Sequence, residues 1–197
     1  MSTPDRLRAE ELRGGALIGR EVIVLDRTKS TNDVVRGMTD SPEGICVFAE
    51  EQTAGRGQRG NKWESARGKG LWFSILLRPK IEIQDAARLT IWVAEVIAQT
   101  ITEELDLPAT VKSPNDVYIG DRKIAGVLVE MRAQQNASHV AIVGVGLNVN
   151  HSVTDFPEEL RRRATSLAIL RGGLLDRNRL ALAMLRNLDR TYAELFG

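Results

Sequence analysis

The chain reads as an α+β domain, a mixed and largely antiparallel β-sheet flanked by helices. Strand-like runs crowd its middle: EVIVLDR (21–27), ICVFAEE (45–51), LWFSILLRP (71–79) and HVAIVGVGLNVN (139–150). VKSPNDVYIGDRKIAGVLVEMR (111–132) reads as a strand, a Pro-Asn-Asp turn and a hairpin around Gly120-Asp121. Helical spacing is confined to the flanks of these runs.

Taken in order, residues 6–13 form a short charged helix. The strand 21–27 follows, and Ser30 or Thr31 caps a helix running through Asn32, Asp33 and Val34–Met38. ICVFAEE is apolar enough to be buried on both faces. Pro79 ends the strand that begins at Leu71. Residues 85–106 place Ala87, Leu89, Ile91, Val93, Ala94, Val96 and Ile97 at helical spacing, with Asp85 near the start. The strand 139–150 ends in spaced glycines. From about Pro157 the tail reads as helical, with LALAMLRNL as its amphipathic part.

Composition removes several function classes. The 27 basic residues nearly cancel the 26 acidic ones, so bulk attraction to nucleic acid or an anionic membrane is not expected. Any anion must be held at a local site. Cys46 is the single cysteine and lies in an apolar run, which excludes a disulfide framework and a CxxC site. It reads as a buried small hydrophobe, and a reducing cytoplasm fits. MSTPDRLRAEELRGG has no apolar core and is not a secretory signal. LTIWVAEVIAQTI is too short to span a bilayer and contains Glu95.

Residues 55–60 read GRGQRG, a literal G-x-G-x-x-G. A dinucleotide turn needs a helix opening at the last glycine, and none follows Gly60. A kinase loop needs later motifs that are absent, and a P-loop needs G-K-[ST]. Arg56, Arg59, Lys62, Arg67 and Lys69 cluster here with few acids among them, and Trp63 sits in the same polar segment. A mobile cationic loop that closes over an anion, with an indole for stacking, accounts for these residues better than a solvated hairpin. His139 and His151 lack metal-ligand spacing. Trp72, Phe73 and Trp92 read as core.

AEEQTAGRGQRGNKW, KSPNDVYIGDRKIAGVLVE and VGVGLNVN, following an STN triplet at 30–32, together resemble the catalytic domain of the biotin protein ligases. The likeness runs from about residue 18 to the C-terminus. Four motifs in order are far more specific than one glycine pattern. The resemblance implies a fold related to class II aminoacyl-tRNA synthetases, as a single catalytic domain over 1–197 with its core at about 18–197. It also implies a reaction. Biotin and ATP, with magnesium, give biotinyl-5′-AMP, and biotin then passes to a lysine of a biotin carboxyl carrier domain, as in acetyl-CoA carboxylase. Bringing a carboxylate to a phosphate requires cations to screen two like charges.

Residue by residue, Ser30, Thr31, Asn32 and Gln52 resemble the neutral donors and acceptors around biotin's ureido head. Gly55, Arg56, Gly57 and Gln58 resemble the biotin-binding loop, with Arg56 near the carboxylate and phosphate. Lys123 resembles the lysine that bridges carboxylate and α-phosphate, so Lys123 and Arg56 are the catalytic candidates. Gly126, Val127 and Leu128 resemble the strand lining the biotin chain, and Gly144 and Gly146 the opposite wall. Arg59, Trp63, Lys112, Asn115 and Asn148 resemble the ATP-binding residues, and Asp116 the magnesium ligand.

The match departs at four places. Gln58 stands where the family loop usually has a second arginine, which predicts weaker retention of biotinyl-AMP unless Arg59 substitutes. Ser113 replaces the tryptophan of K-W-P-N-D. No helix-turn-helix precedes residue 18, so DNA binding is not expected. The C-terminal barrel common in the family is not read in this sequence, which leaves adenylate synthesis better supported than full transfer. Relatives include monomers and dimers, so a homodimer stays open. Two other functions compete: a lipoate or octanoate transferase of the same superfamily, and a non-catalytic biotin or adenylate binder. The STN triplet and Gln52 favour a urea head over a dithiolane. Lys123 and Asp116 favour catalysis, since a passive binder needs neither.

Overall fold

The structure, a computed structural model, describes residues 5–112, 114–133 and 139–196. The substitution noted at Ser113 lies outside them. The elements are α1 (Ala9–Leu12), β1 (Val22–Leu25), α2 (Thr31–Arg36), β2 (Cys46–Ala49), β3 (Gly70–Leu77), α3 (Ala86–Leu105), β4 (Ala109–Lys112), β5 (Asp116–Ile119), β6 (Arg122–Arg132), β7 (Val140–Asn148), α4 (Leu167–Arg171) and α5 (Arg177–Phe196). The strands form one seven-stranded sheet in the order β1-β2-β3-β7-β6-β5-β4. β1 and β2 are parallel, and every other neighbouring pair is antiparallel. The expected mixed, largely antiparallel α+β architecture is the observed one.

Strand side chains alternate between faces, and the two faces of this sheet differ. On one, Ala141, Val143, Val145 and Leu147 of β7 join Phe48, Phe73 and Ile75 in the main core, against Leu89, Val93 and Ile97 of α3 and Met184, Leu185 and Leu188 of α5. Each of the larger side chains contributes about 1.5–3 kcal/mol by leaving water. Trp92 Nε1 donates to Thr191 Oγ1 at 2.9 Å, pinning α3 to α5. On the other face, Val140 and Ile142 pack with Val47, Leu76 and Val35 of α2 in a smaller cluster. Beyond Ile142 that series continues into Gly144 and Gly146, which pair with Ser74 and Trp72 on β3. The apolar layer thus gives way to a stretch where β7 itself carries no side chains. The candidate site lies there.

Three expectations are corrected. Ser30 occupies the N-cap position of α2, but its side chain makes no capping bond. The tail is not helical from Pro157. It passes through 3₁₀ turns and an extended strip, and helix begins only at Leu167 and again at Arg177. The strip is extended because it pairs with the start of β6. Lys123 N donates to Arg163 O at 2.8 Å, and Thr165 N donates to Lys123 O at 3.0 Å. Third, three of the five loop cations are paired by acids from distant segments, Arg56 with Asp33, Arg67 with Asp26 and Lys69 with Asp155, while Lys62 pairs with Glu64 inside the loop.

Arg177, at the start of α5, is fully buried. Its Nε contacts Asp5 Oδ2 at 2.8 Å and its Nη1 lies 2.9 Å from Glu50 Oε2. Nη1 also donates to Gly70 O at 3.1 Å. Glu50 in turn accepts from Leu7 N at 2.6 Å. One guanidinium therefore ties the N-terminal segment, β3 and the exit of β2 together. Cys46 is buried, and burial pushes its thiol up to about 12, so it stays a neutral hydrophobe. Among the described residues no helix is long and apolar enough to cross a membrane.

Candidate active site

The GRGQRG segment folds as a closed hairpin. Trp63 N donates to Gly55 O at 2.9 Å, and Gly57 N donates to Asn61 O at 2.7 Å. Arg56 and Lys62 pair between them as an antiparallel bridge. A 3₁₀ turn at Gln58–Gly60 forms the tip, with Arg59 in the left-handed region at φ 57°. The hairpin lies across a cleft of about 300 Å³. The cleft is lined by Ser30, Thr31, Asn32 and Gln52 at one part, by Arg56, Gly57, Gln58, Arg59 and Trp63 from the hairpin, and by Asn115, Asp116, Lys123, Gly126, Leu128 and Gly144 from the sheet.

The uncharged part is tightly wired. Gln52 Oε1 accepts from Thr31 N at 2.8 Å, while Gln52 Nε2 donates to Ser65 Oγ at 3.0 Å. Buried Ser74 Oγ lies 2.7 Å from Thr31 Oγ1 and 2.6 Å from Asn32 Oδ1, with one proton to give. Asn32 Nδ2 donates to Glu130 Oε2 at 2.7 Å. A methyl group at Gly144 would sit 2.2 Å from Asn32 Oδ1, so a side chain there would expel the carboxamide. Gly126 and Gly146 face each other across β6 and β7 and form the floor under Trp63. A methyl at Gly146 would come within 2.4 Å of the indole.

Two cations of the charged part, Lys123 and Arg56, face carboxylates from other segments. Lys123 Nζ is 2.6 Å from Asp116 Oδ1 and 5.3 Å from the Trp63 ring centroid. Arg56 Nη1 donates to Asp33 Oδ2 at 2.8 Å, while its Nη2 stands 3.6 Å from Glu130 Oε2. The Arg56 hydrogen bond holds the Asp33 carboxyl below its ordinary range, and Asp33 in turn raises Arg56, so both stay charged. Arg56 Nη2 and Trp63 Nε1 are buried without a hydrogen-bond partner, and buried Asp116 Oδ1 has only the Lys123 ammonium. Buried polar atoms are nearly always satisfied, and two unpartnered donors around one cleft mark a place where a ligand completes the bonding.

Seventeen of the residues given a site role from sequence line this cleft: Ser30, Thr31, Asn32, Gln52, Arg56, Gly57, Gln58, Arg59, Trp63, Asn115, Asp116, Lys123, Gly126, Val127, Leu128, Gly144 and Gly146. Three do not. Gly55 is buried beneath the hairpin, where its carbonyl holds Trp63 N. Lys112 is exposed on β4, with its ammonium 4.0 Å from the Tyr118 ring centroid. Asn148 is buried and donates to Thr165 O at 3.1 Å, which fixes the strip beside Lys123. Sequence reading missed Asp33, Ser74 and Glu130. The strand period offered a signal for Glu130, which stands four residues after Gly126 and so on the same face.

A second cavity adjoins the first and shares Gln52, Lys62 and Trp63 with it. His151 lines it, stacked on Phe156 with centroids 4.9 Å apart. Burial, with Lys69 adding to it and Asp155 opposing, pushes the imidazole from 6.5 down to about 4. The unfolded chain therefore takes up this proton below 6.5, whereas the fold resists it until about 4. His151 contributes nothing to pH dependence above that window, and stability is lost progressively as pH falls through it. Urea unfolding followed between pH 7 and pH 4 is expected to show a flatter decline in His151→Phe than in the parent. Parallel declines would rule the assignment out.

The fold and cleft together define an α+β protein whose site pairs a neutral, hydrogen-bonded part with a cationic part. The comparisons narrow this. The family model for the biotin/lipoate A/B protein ligase family matches residues 24–148, and the chain belongs to that family. It is 37% identical over 179 residues to the bifunctional ligase/repressor BirA of Bacillus subtilis, covering 88% of this chain and 55% of that one. It is 31% identical over 204 residues to the biotin–[acetyl-CoA-carboxylase] ligase of Mycobacterium tuberculosis, covering 96% and 73%. The biotin protein ligase of Aquifex aeolicus in complex with biotin and ATP superposes with a TM-score of 0.75 at 32% identity, over 89% of this chain and 72% of that one. The chain thus spans about half the length of the BirA relative it matches.

Proposed function

We propose that the chain activates biotin with ATP and passes the biotinyl group to a lysine of a biotin carboxyl carrier domain. The observation that carries this reading is the pairing of one neutral, fully wired polar pocket with buried, unsatisfied Arg56 Nη2 in the same cleft. A urea head suits the first, and a carboxylate meeting a phosphate suits the second. In the first step a biotin carboxylate oxygen bonds to the α-phosphorus of ATP while the bond to the pyrophosphate leaving group breaks. Arg56 and Lys123 screen the approach of the two anions. In the second step the carrier lysine amine bonds to the acyl carbon, and AMP leaves with the electron pair. Trp63, between the two cavities, offers a stacking face for the base, with Asn115 and Arg59 as further nucleotide contacts.

Magnesium fits here as a companion of the nucleotide. Among the described residues no group of three acidic or imidazole ligands forms a cage. Asp116 Oδ1 is buried with only Lys123 beside it, which suits an ion that takes few protein carboxylates and keeps water and phosphate ligands. When bound, the ion neutralises phosphate charge.

Incubation with ATP, magnesium and either biotin or lipoate, followed by pyrophosphate release and carrier labelling, tests the proposal. Turnover with biotin and not lipoate supports it. Turnover with lipoate alone would favour the transferase, and biotin binding without pyrophosphate would favour a passive binder. Gln58 lines the cleft at the hairpin tip without a charge to offer the adenylate. Biotinyl-AMP is therefore expected to leave the parent about tenfold faster than it leaves Gln58→Arg, since a bond to a charged group is worth about 1.5–3 kcal/mol. Equal dissociation rates would show that Arg59 or another group already does this work.

A further inference from the structure

Glu130 is the last residue of the KSPNDVYIGDRKIAGVLVE motif, on β6, and carries no role so far, yet it touches both parts of the cleft. Its Oε2 accepts from Asn32 Nδ2 at 2.7 Å and faces Arg56 Nη2 at 3.6 Å. Its Oε1 accepts from Arg36 Nη2 at 2.5 Å. Arg36 reaches onward through Nη1 to Asp33 Oδ1 at 2.6 Å, and the other Asp33 oxygen holds Arg56. Two carboxylates and two guanidiniums thus close a ring, and Asn32 hangs from one corner of it. We propose that Glu130 is a positioning residue that sets the orientation of Asn32 at the head of the site and the location of Arg56 at its anionic end.

The physical reasons are separate for the two ends. A carboxamide has a donor end and an acceptor end, and rotation exchanges them. Ser74 Oγ at Oδ1 and Glu130 at Nδ2 together fix which end points where. A neutral acceptor at position 130 does the same for Asn32. Arg56 is different. Among the described residues it donates one hydrogen bond, from Nη1 to Asp33, and Nη2 has no partner at hydrogen-bond distance. Its lateral position then depends on the charge of Glu130 and on the brace that Arg36 supplies to Asp33. Nη2, held by charge alone, is free to meet an incoming carboxylate while the Nη1 bond to Asp33 stays in place. The strand supports this geometry, since β6 residues alternate and Gly126, Leu128 and Glu130 lie in register on the site face.

The inference rests on the biotin reading, and its test keeps the two apart. Glu130→Ala and Glu130→Gln are made alone and with Arg56→Ala. Biotin binding is measured calorimetrically without ATP, and turnover by pyrophosphate release at saturating substrates. Glu130→Ala is expected to weaken biotin binding about tenfold and to slow turnover by a similar factor. Glu130→Gln restores binding through its amide oxygen but leaves turnover slow. In the Arg56→Ala background the turnover penalty of either change disappears. Equal loss of binding and turnover in both variants, or penalties that multiply with that of Arg56→Ala, would overturn the proposal. If the parent neither binds nor turns over biotin, the biotin reading fails, and Glu130 is judged by thermal unfolding. Coupling between Glu130 and Arg56 in a double-mutant cycle of melting temperatures is then expected, and additivity refutes it.

Discussion

Lys123→Ala is expected to lower the rate of biotin-dependent pyrophosphate release by about 10²–10³-fold, with little change in melting temperature. Losing one preorganised cationic donor at a developing charge costs about 3–4 kcal/mol in comparable sites. Lys123 is placed for that role by its backbone as much as by its side chain. Its N–H and C=O are both bonded to the 163–165 strip, so the strand keeps its course when the side chain is removed. Its ammonium is only partly exposed and faces Asp116 at 2.6 Å. Removing it leaves that carboxylate closer to the substrate's anions, which adds repulsion to the lost attraction. Initial rates at saturating biotin and ATP, with a thermal melt of each variant, measure both halves. A rate within about threefold of the parent would remove Lys123 from the chemistry, because that difference is under 1 kcal/mol.

Arg177→Ala acts on stability. The change is expected to destabilise the fold by about 3–5 kcal/mol, since breaking a buried pair strands its partner. Glu50 is the partner left behind, buried and still accepting from Leu7 N. The urea midpoint should fall with the slope unchanged. Arg177→Ala with Glu50→Gln should recover part of the loss, because the second change neutralises the stranded charge. A shift below about 1 kcal/mol would mean that water reaches Glu50 in the variant. Glu50 lies two residues before Gln52, so a milder effect on biotin affinity is expected alongside.

How far the sequence carried depends on the reach of each interaction. Strands β1, β2, β3 and β7 were legible because apolar runs and alternation are local properties. The β5–β6 hairpin was legible from its Gly-Asp turn. The course of residues 157–166 was not, since PEELRRRATS has local helix formers, yet it makes one 3₁₀ turn and is then drawn out at Ala164 by pairing with Lys123. Most of the cleft was legible through motifs, but its wiring was not. Ser74 looks like an ordinary strand serine until β7 places Gly144 opposite it. Asp33 looks like a first-turn helix acid until Arg56 arrives from 23 residues away. Arg177 reads as a solvated helix cation, because nothing nearby announces Asp5 and Glu50. Side chains whose partners lie far along the chain carry no local signal.

The indole of Trp63 rests on the glycine pair Gly126 and Gly146, at distances where no side chain fits between. A ring so seated is a tenant of the same ground that an extended ligand chain would need. Two occupants of one volume compete, so the affinity observed at the cleft is the intrinsic affinity scaled by the fraction of molecules whose floor is uncovered. Under the proposed function, the packing of one aromatic side chain would thereby tune the ligand concentration at which the cleft fills.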